Sequence, residues 1–318
     1  MKYTKLVRDY QQLVNLLSSE RGLKGAPADI EKRLQDVGYY RLSAYWYPFT
    51  KKNGDSERIN TSIDVVWTHY CFDRKLRLLC IDAIERIEIA LRNHLVHILT
   101  LDKKTPIAYM DDSCFLPSAL RGIQAWRIKQ LQNFKSNKNE FCVAYKNKYI
   151  AESPEPPFWM ISECMSFGDL VKLMESMCWE YNKRLAKIFN LKKPETLISW
   201  MRFIRIVRNS CAHHSRTWNK KWTFQPALPR LRSQPEWYYQ YNCITQSWEP
   251  PGRKASLSFP VNTTATFLFI CRYMLKIIAP TSSWCNRTES FINDTEYKTV
   301  QKSWMGLEES WQDHPLWK

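Results

Sequence analysis

Between Ile63 and about Leu101 apolar residues return every three or four positions: Leu76, Cys80, Ile84, Ile87, Leu91, Leu95 and Ile98. At 3.6 residues per turn they fall on one stripe, so the spacing predicts a single long helix with one face to bury. Arg74, Glu85, Glu88 and Arg92 lie beside that stripe. Thr105-Pro106 closes the pattern.

Helical spacing dominates elsewhere too. Leu13, Val14, Leu16 and Leu17 precede Gly22, a stop signal, and Asp29 to Val37 resumes the period. An aromatic block, Tyr39 to Phe49, follows. It can fill the core, or it can stack on unpaired bases beside Arg41. Lys51 to Asn60 reads as a polar loop with Asn53-Gly54 as its turn. Shorter helices are expected over 118–134, 140–149, 159–165, 168–179 and 183–189, with Ser153 to Pro157 an extended connector. Pro194-Glu195 reads as the first turn of another helix. Residues 218–260 carry six prolines and few regular periods, which marks a long loop or a β-containing insert. A helix over 262–278 and an irregular, Trp-rich tail over 280–318 complete the chain. The expected organisation is an N-terminal helical segment (1–60), a helical domain (61–280, insert about 219–260) and the tail (281–318).

Of 318 residues, 44% are hydrophobic, enough for a sizeable core, and the formal net charge is +16. Such a balance favours a polyanionic partner, with RNA or DNA first and an anionic membrane surface second. Eight glycines and no GxGxxG or GxxxxGK[ST] pattern argue against a nucleotide cradle. The ten cysteines form no CxxC pair and show no zinc spacing, and Met1-Lys2-Tyr3-Thr4 begins no signal peptide. A reduced, cytoplasmic protein without metal or cofactor is expected. The most apolar stretch, Ala265 to Ile278, is interrupted by Arg272 and Lys276, which points to a core helix and no membrane span.

The chemistry concentrates in Arg205-Ile206-Val207-Arg208-Asn209-Ser210-Cys211-Ala212-His213-His214-Ser215-Arg216. On a helix Leu197, Trp200, Ile204, Val207 and Cys211 share one face and belong in the core. Arg202, Arg205, Asn209, His213 and Arg216 share the opposite face. That strip contains no acid of its own, which favours anion binding over plain solvation. Arg208 stands about 140° from His213 on a regular helix. Either the helix ends near Ser210 and swings the histidine round, or Arg208 reaches a site shared with a second subunit. A structural role for Arg208 opposite Glu85 or Glu88 is the remaining alternative.

Arginine grips phosphate with a planar fork of donors, and histidine moves protons near neutral pH. Such a set can cleave RNA: the imidazole removes the 2′-OH proton, the oxygen attacks the adjacent phosphate, and the 5′ oxygen leaves. DNA has no 2′-OH and would be spared.

Arg208-Asn209-Ser210-Cys211-Ala212-His213 resembles the R-x4–6-H signature of HEPN-domain ribonucleases. The aromatic block from Gly38 to Phe49, Phe72-Asp73-Arg74-Lys75-Leu76-Arg77 with Ile84 to Glu88, Phe167-Gly168-Asp169-Leu170, the Arg208–Asn219 segment and Trp304-Met305-Gly306-Leu307 resemble the Abi-like proteins, the AbiD/AbiF-type abortive-infection group, over nearly the whole chain. The resemblance implies an all-α, HEPN-type helical bundle and a metal-independent endoribonuclease site formed between two copies. It also implies a toxin of phage defence, held in check by a small structured RNA. Carried over, Arg208 and His213 are the signature pair, Asn209 is the polar position after the arginine, and His214 is a substitute base. Arg202, Arg205, His214, Arg216, Arg41 and Arg92 are the expected RNA contacts.

Arg92-Asn93-His94-Leu95-Val96-His97 repeats the signature spacing on the long helix. Glu88, four residues before Arg92, instead suggests an ordinary helix ion pair. Two other functions compete with the nuclease. A non-catalytic RNA-binding protein would use the same strip without needing the histidine. A DNA-binding regulator would need a helix-turn-helix, and no such spacing with a Gly turn is apparent.

Overall fold

The computed structural model describes residues 6–53, 56–253, 255 and 260–318. Met1–Thr4, Gly54 of the expected turn and part of the 219–260 insert lie outside the described residues.

The architecture is an all-α bundle built around one spine. Three helices, α1 (Tyr10–Asn15), α2 (Pro27–Val37) and α3 (Tyr39–Trp46), lead into a hairpin of β1 (Thr50–Asn53) and β2 (Ser56–Ile59). The hairpin is antiparallel, with Thr50 opposite Ile59 and Lys51 opposite Arg58, where a polar loop was expected. The spine, α4 (Ile63–Lys103), follows. Its 41 residues run about 60 Å at 1.5 Å each. The Ser62 side chain accepts the Val65 N–H at its start, and Lys104 ends it in the left-handed region. Leu76, Cys80, Ile84, Ile87, Leu91, Leu95 and Ile98 are all buried, as the spacing predicts.

Next come α5 (Leu120–Ser136), α6 (Glu140–Tyr149), α7 (Phe158–Glu163), α8 (Phe167–Ser176), α9 (Trp179–Ile188) and α10 (Pro194–Ala212). The insert holds a second antiparallel pair, β3 (Gln240–Asn242) and β4 (Ser247–Glu249). It is not a surface loop throughout: Trp218, Trp222 and Trp237 are buried, and the Ala227 carbonyl accepts the Trp200 indole N–H at 2.8 Å.

Both α10 and α11 (Thr264–Ile278) pack on the spine. Every residue from Thr264 to Cys271 is buried, which explains a helix apolar on all sides. Arg272 reaches out of it to the backbone carbonyls of Trp317 and Lys318. Among the described residues no helix is long and apolar enough to cross a membrane.

The tail departs from expectation. It contains α12 (Trp284–Ile292) and short 3-10 turns, and it docks into the core through Trp284, Trp311 and Trp317. Trp284 donates its indole N–H to the Leu79 carbonyl on the spine at 2.8 Å. Only Trp284, Thr288 and Ile292 are buried along α12, too sparse a stripe to announce a helix.

The aromatic block divides between its two readings. Leu42, Tyr45 and Trp46 are buried, whereas Tyr40 is 91% and Tyr47 67% exposed.

Candidate active site

The motif lies on α10. Pro194 occupies its first turn, where a missing N–H costs nothing. Leu197, Trp200, Ile204, Val207 and Cys211 are buried as their spacing requires. The helix stays regular through Ala212, because the His213 amide still donates to the Asn209 carbonyl at 3.0 Å. It then closes in a Schellman arrangement. Ser215 N–H meets the Ser210 carbonyl at 2.9 Å, and His214 N–H meets the Cys211 carbonyl at 3.0 Å.

That closure puts His214 at φ 55°, a position glycine usually holds and histidine tolerates better than most residues. It also settles the local geometry. The helix does not end at Ser210, so His213 remains about 140° around the axis from Arg208. His213 is exposed on the cap. The abrupt turn places residue His214 in the lining of one cavity with Arg208.

Arg208 and His214 line one open cavity of about 990 Å³ between the end of α10, the spine and α3. Arg41, Arg74, Arg77 and Arg92 line it too, with Glu85 and Glu88. Most of these cations are engaged. Arg92 pairs with Glu88 at 2.7 Å and Glu163 at 3.6 Å and donates to the Met165 carbonyl. The helix ion pair inferred from the 88–92 spacing is therefore present. Arg41 donates to the His214 carbonyl at 2.6 Å, tying α3 to the negative end of α10.

Two arginines of the cavity are different. Among the described residues neither Arg74 nor Arg208 forms an ion pair. Among the described residues Arg208 hydrogen-bonds only to the neighbouring Asn209 Oδ1, at 3.4 Å. Burial raises the Glu88 carboxyl from its usual value, and the charges of Arg92 and Arg208 oppose that rise. Arg208 thus acts on Glu88 across the cavity without joining it directly.

Behind the cavity sits a buried anchor that sequence reasoning did not single out. Asp73 is fully buried and accepts four hydrogen bonds: from Tyr45 Oη at 2.6 Å, from Arg77 Nη1, and from the backbone N–H groups of Thr217 (3.0 Å) and Trp218 (2.8 Å). Burial pushes its carboxyl up, and Arg77, Tyr45 and the two amides push back. Burial likewise raises the Tyr45 hydroxyl. The chain just past the motif is fixed by this carboxylate. The available signal was an acid beside Phe72 and four residues before Arg77, the spacing of a helix pair.

The acid-free strip requires correction. Arg202 pairs with Glu175 of α8 at 2.6 Å, so an acid from a neighbouring helix neutralises it. Arg205 is half-buried beside Gly168. Arg216 lies beyond the helix and donates to the Ala44 carbonyl at 2.5 Å. Lys220, which no motif marked, donates to Ser210 Oγ at 2.9 Å from the far side of the helix end. Among the described residues no three His, Cys, Asp or Glu side chains converge as a metal site.

With this geometry in place, comparison with known proteins gives one finding. A family model described as Abi-like protein matches residues 32–219, from α2 through the whole of the motif helix and its cap. No curated protein and no solved structure matches the chain.

Proposed function

The chain belongs to the Abi-like protein family, and from that premise we propose that it is an abortive-infection toxin of phage defence, a HEPN-type endoribonuclease that needs no metal. The observation that carries this reading is Arg208: a guanidinium that forms no ion pair among the described residues, facing an open cavity, with His214 on the same wall and His213 exposed at the helix cap.

In the proposed reaction Arg208 and Arg74 hold the scissile phosphate, and the Asn209 amide adds a donor to its oxygens. His213 removes the 2′-OH proton. The 2′ oxygen attacks phosphorus, and His214 protonates the departing 5′ oxygen. The products are a 2′,3′-cyclic phosphate and a free 5′-OH.

Within one chain His213 points away from Arg208, so the reading uses two copies, with one protomer's His213 meeting the other's Arg208. Supporting this, Leu78 (63% exposed) and Ile89 (54% exposed) flank the same cavity and offer apolar surface for a second copy to cover. The net charge of +16 suits a small structured RNA that masks the site and keeps the toxin silent.

The test is a single-stranded RNA and its counterpart with one 2′-deoxy nucleotide at the mapped cleavage position. Cleavage should yield a cyclic phosphate and stop at the deoxy position. Cutting that persists there removes the mechanism. Under the rival reading, a protein that only grips RNA, neither oligonucleotide is cut.

A further inference from the structure

A second cavity, of about 560 Å³, opens on the other side of the same junction. Arg41 of α3 and His214 face the first cavity, while their neighbours Tyr40, Ser215 and Arg216 line the second. The two cavities therefore flank the same two chain segments, Tyr40–Arg41 and His214–Ser215.

Its lining has two components. Tyr40 and Tyr47 stand seven residues apart on α3 and the turn after it, and both are largely exposed. Between them the floor is fixed: Tyr39 packs edge-on against Trp46 with ring centroids 5.3 Å apart, and Trp46 is buried. Exposed aromatic rings grouped in one basic cavity offer stacking faces for unpaired bases.

The other component is charge. Arg21, Arg216 and Lys220 line the cavity, and among the described residues no acid does. Lys220 is held in place by Ser210 Oγ and by the Trp222 face, 4.5 Å from its ammonium. Burial lowers the Lys220 ammonium from its usual range and the Arg216 charge adds to that, while Cys211 and the buried Asp73 carboxylate oppose it. Among the described residues none of these three cations forms an ion pair, and clustered like charges favour an anion beside them.

We propose that this cavity binds unpaired nucleotides of an RNA strand next to the cleavage site, their bases stacked on Tyr40 and Tyr47 and their phosphates held by Arg216 and Lys220. A duplex keeps its bases stacked inside and cannot offer them to these rings. The subsite therefore selects single-stranded RNA, and it rests on the reading of the protein as an RNA-binding nuclease.

The test uses the full-length Arg208→Ala protein, so that binding is read without cleavage, with a single-stranded 12-mer RNA and a duplex of equal length. Tyr40→Ala and Tyr47→Ala should each weaken single-strand binding about tenfold and leave the duplex within twofold. Tyr40→Trp should retain affinity, since it keeps a stacking face. Lys220→Ala should reduce the slope of log affinity against log salt by about one. Both tyrosines are exposed, so unchanged thermal melting will verify the fold. Equal losses for single strand and duplex, or losses below twofold for both tyrosines, overturn the proposal. Absence of cleavage in the wild-type protein, with these binding results intact, would instead count against the nuclease reading alone.

Discussion

Asp73 Oδ1 accepts the backbone N–H of Trp218 at 2.8 Å, joining positions 145 residues apart. With Tyr45, Arg77 and Thr217 on the same carboxylate, this contact holds the segment after the motif against the spine. Removing one member of a buried, hydrogen-bonded ion pair costs about 3–5 kcal/mol, because the other charge is left without its partner. Asp73→Ala should lose that much in denaturant unfolding, and any RNA cleavage should fall with it. Asp73→Ala combined with Arg77→Met should lose less than Asp73→Ala alone. A loss below about 1 kcal/mol for Asp73→Ala contradicts the anchor.

His314 predicts a pH dependence. It is fully buried between the Trp248 and Phe269 rings, and burial lowers its imidazole from 6.5 to about 4. A folded-state value below the unfolded one means that the unfolded chain binds more protons between those limits. Stability is therefore complete above about pH 6.5 and drains away as pH falls toward 4, by about 3 kcal/mol in total. Unfolding measured across that window should show this slope, and His314→Phe should flatten it. An identical slope in the variant contradicts the assignment.

The tail is part of the core. Trp284 is buried and donates to the Leu79 carbonyl. Trp284→Ala should cost about 3–5 kcal/mol, from lost apolar burial and the cavity left behind. Thermal melting should fall sharply with the variant. An unchanged melting temperature contradicts a docked tail.

What the residues announce and what they conceal follows a physical division. The spine and the core face of α10 are legible because helical periodicity places Leu76 to Ile98, and Leu197 to Cys211, on single faces. Arg92 is legible as a helix ion pair because Glu88 lies one turn away. The rest depends on contacts between distant segments. Glu175 reaches Arg202 from another helix, and Asp73 holds amides beyond the motif. Neither leaves a local pattern. The αL turn at His214 is equally hidden, since a histidine where glycine is usual gives no stop signal. That turn decides which histidine lines the cavity with Arg208.

In the proposed mechanism Arg208 and His213 act together on RNA across two copies of the chain. The most direct measurement mixes Arg208→Ala and His213→Ala proteins after co-refolding and follows cleavage of an end-labelled single-stranded RNA. Each variant alone should be inactive while RNA affinity persists. In the mixture half the dimers are mixed, and each of those carries one intact Arg208–His213 site, so about a quarter of wild-type activity should return. Full activity in either variant alone, or no recovery on mixing, contradicts the claim.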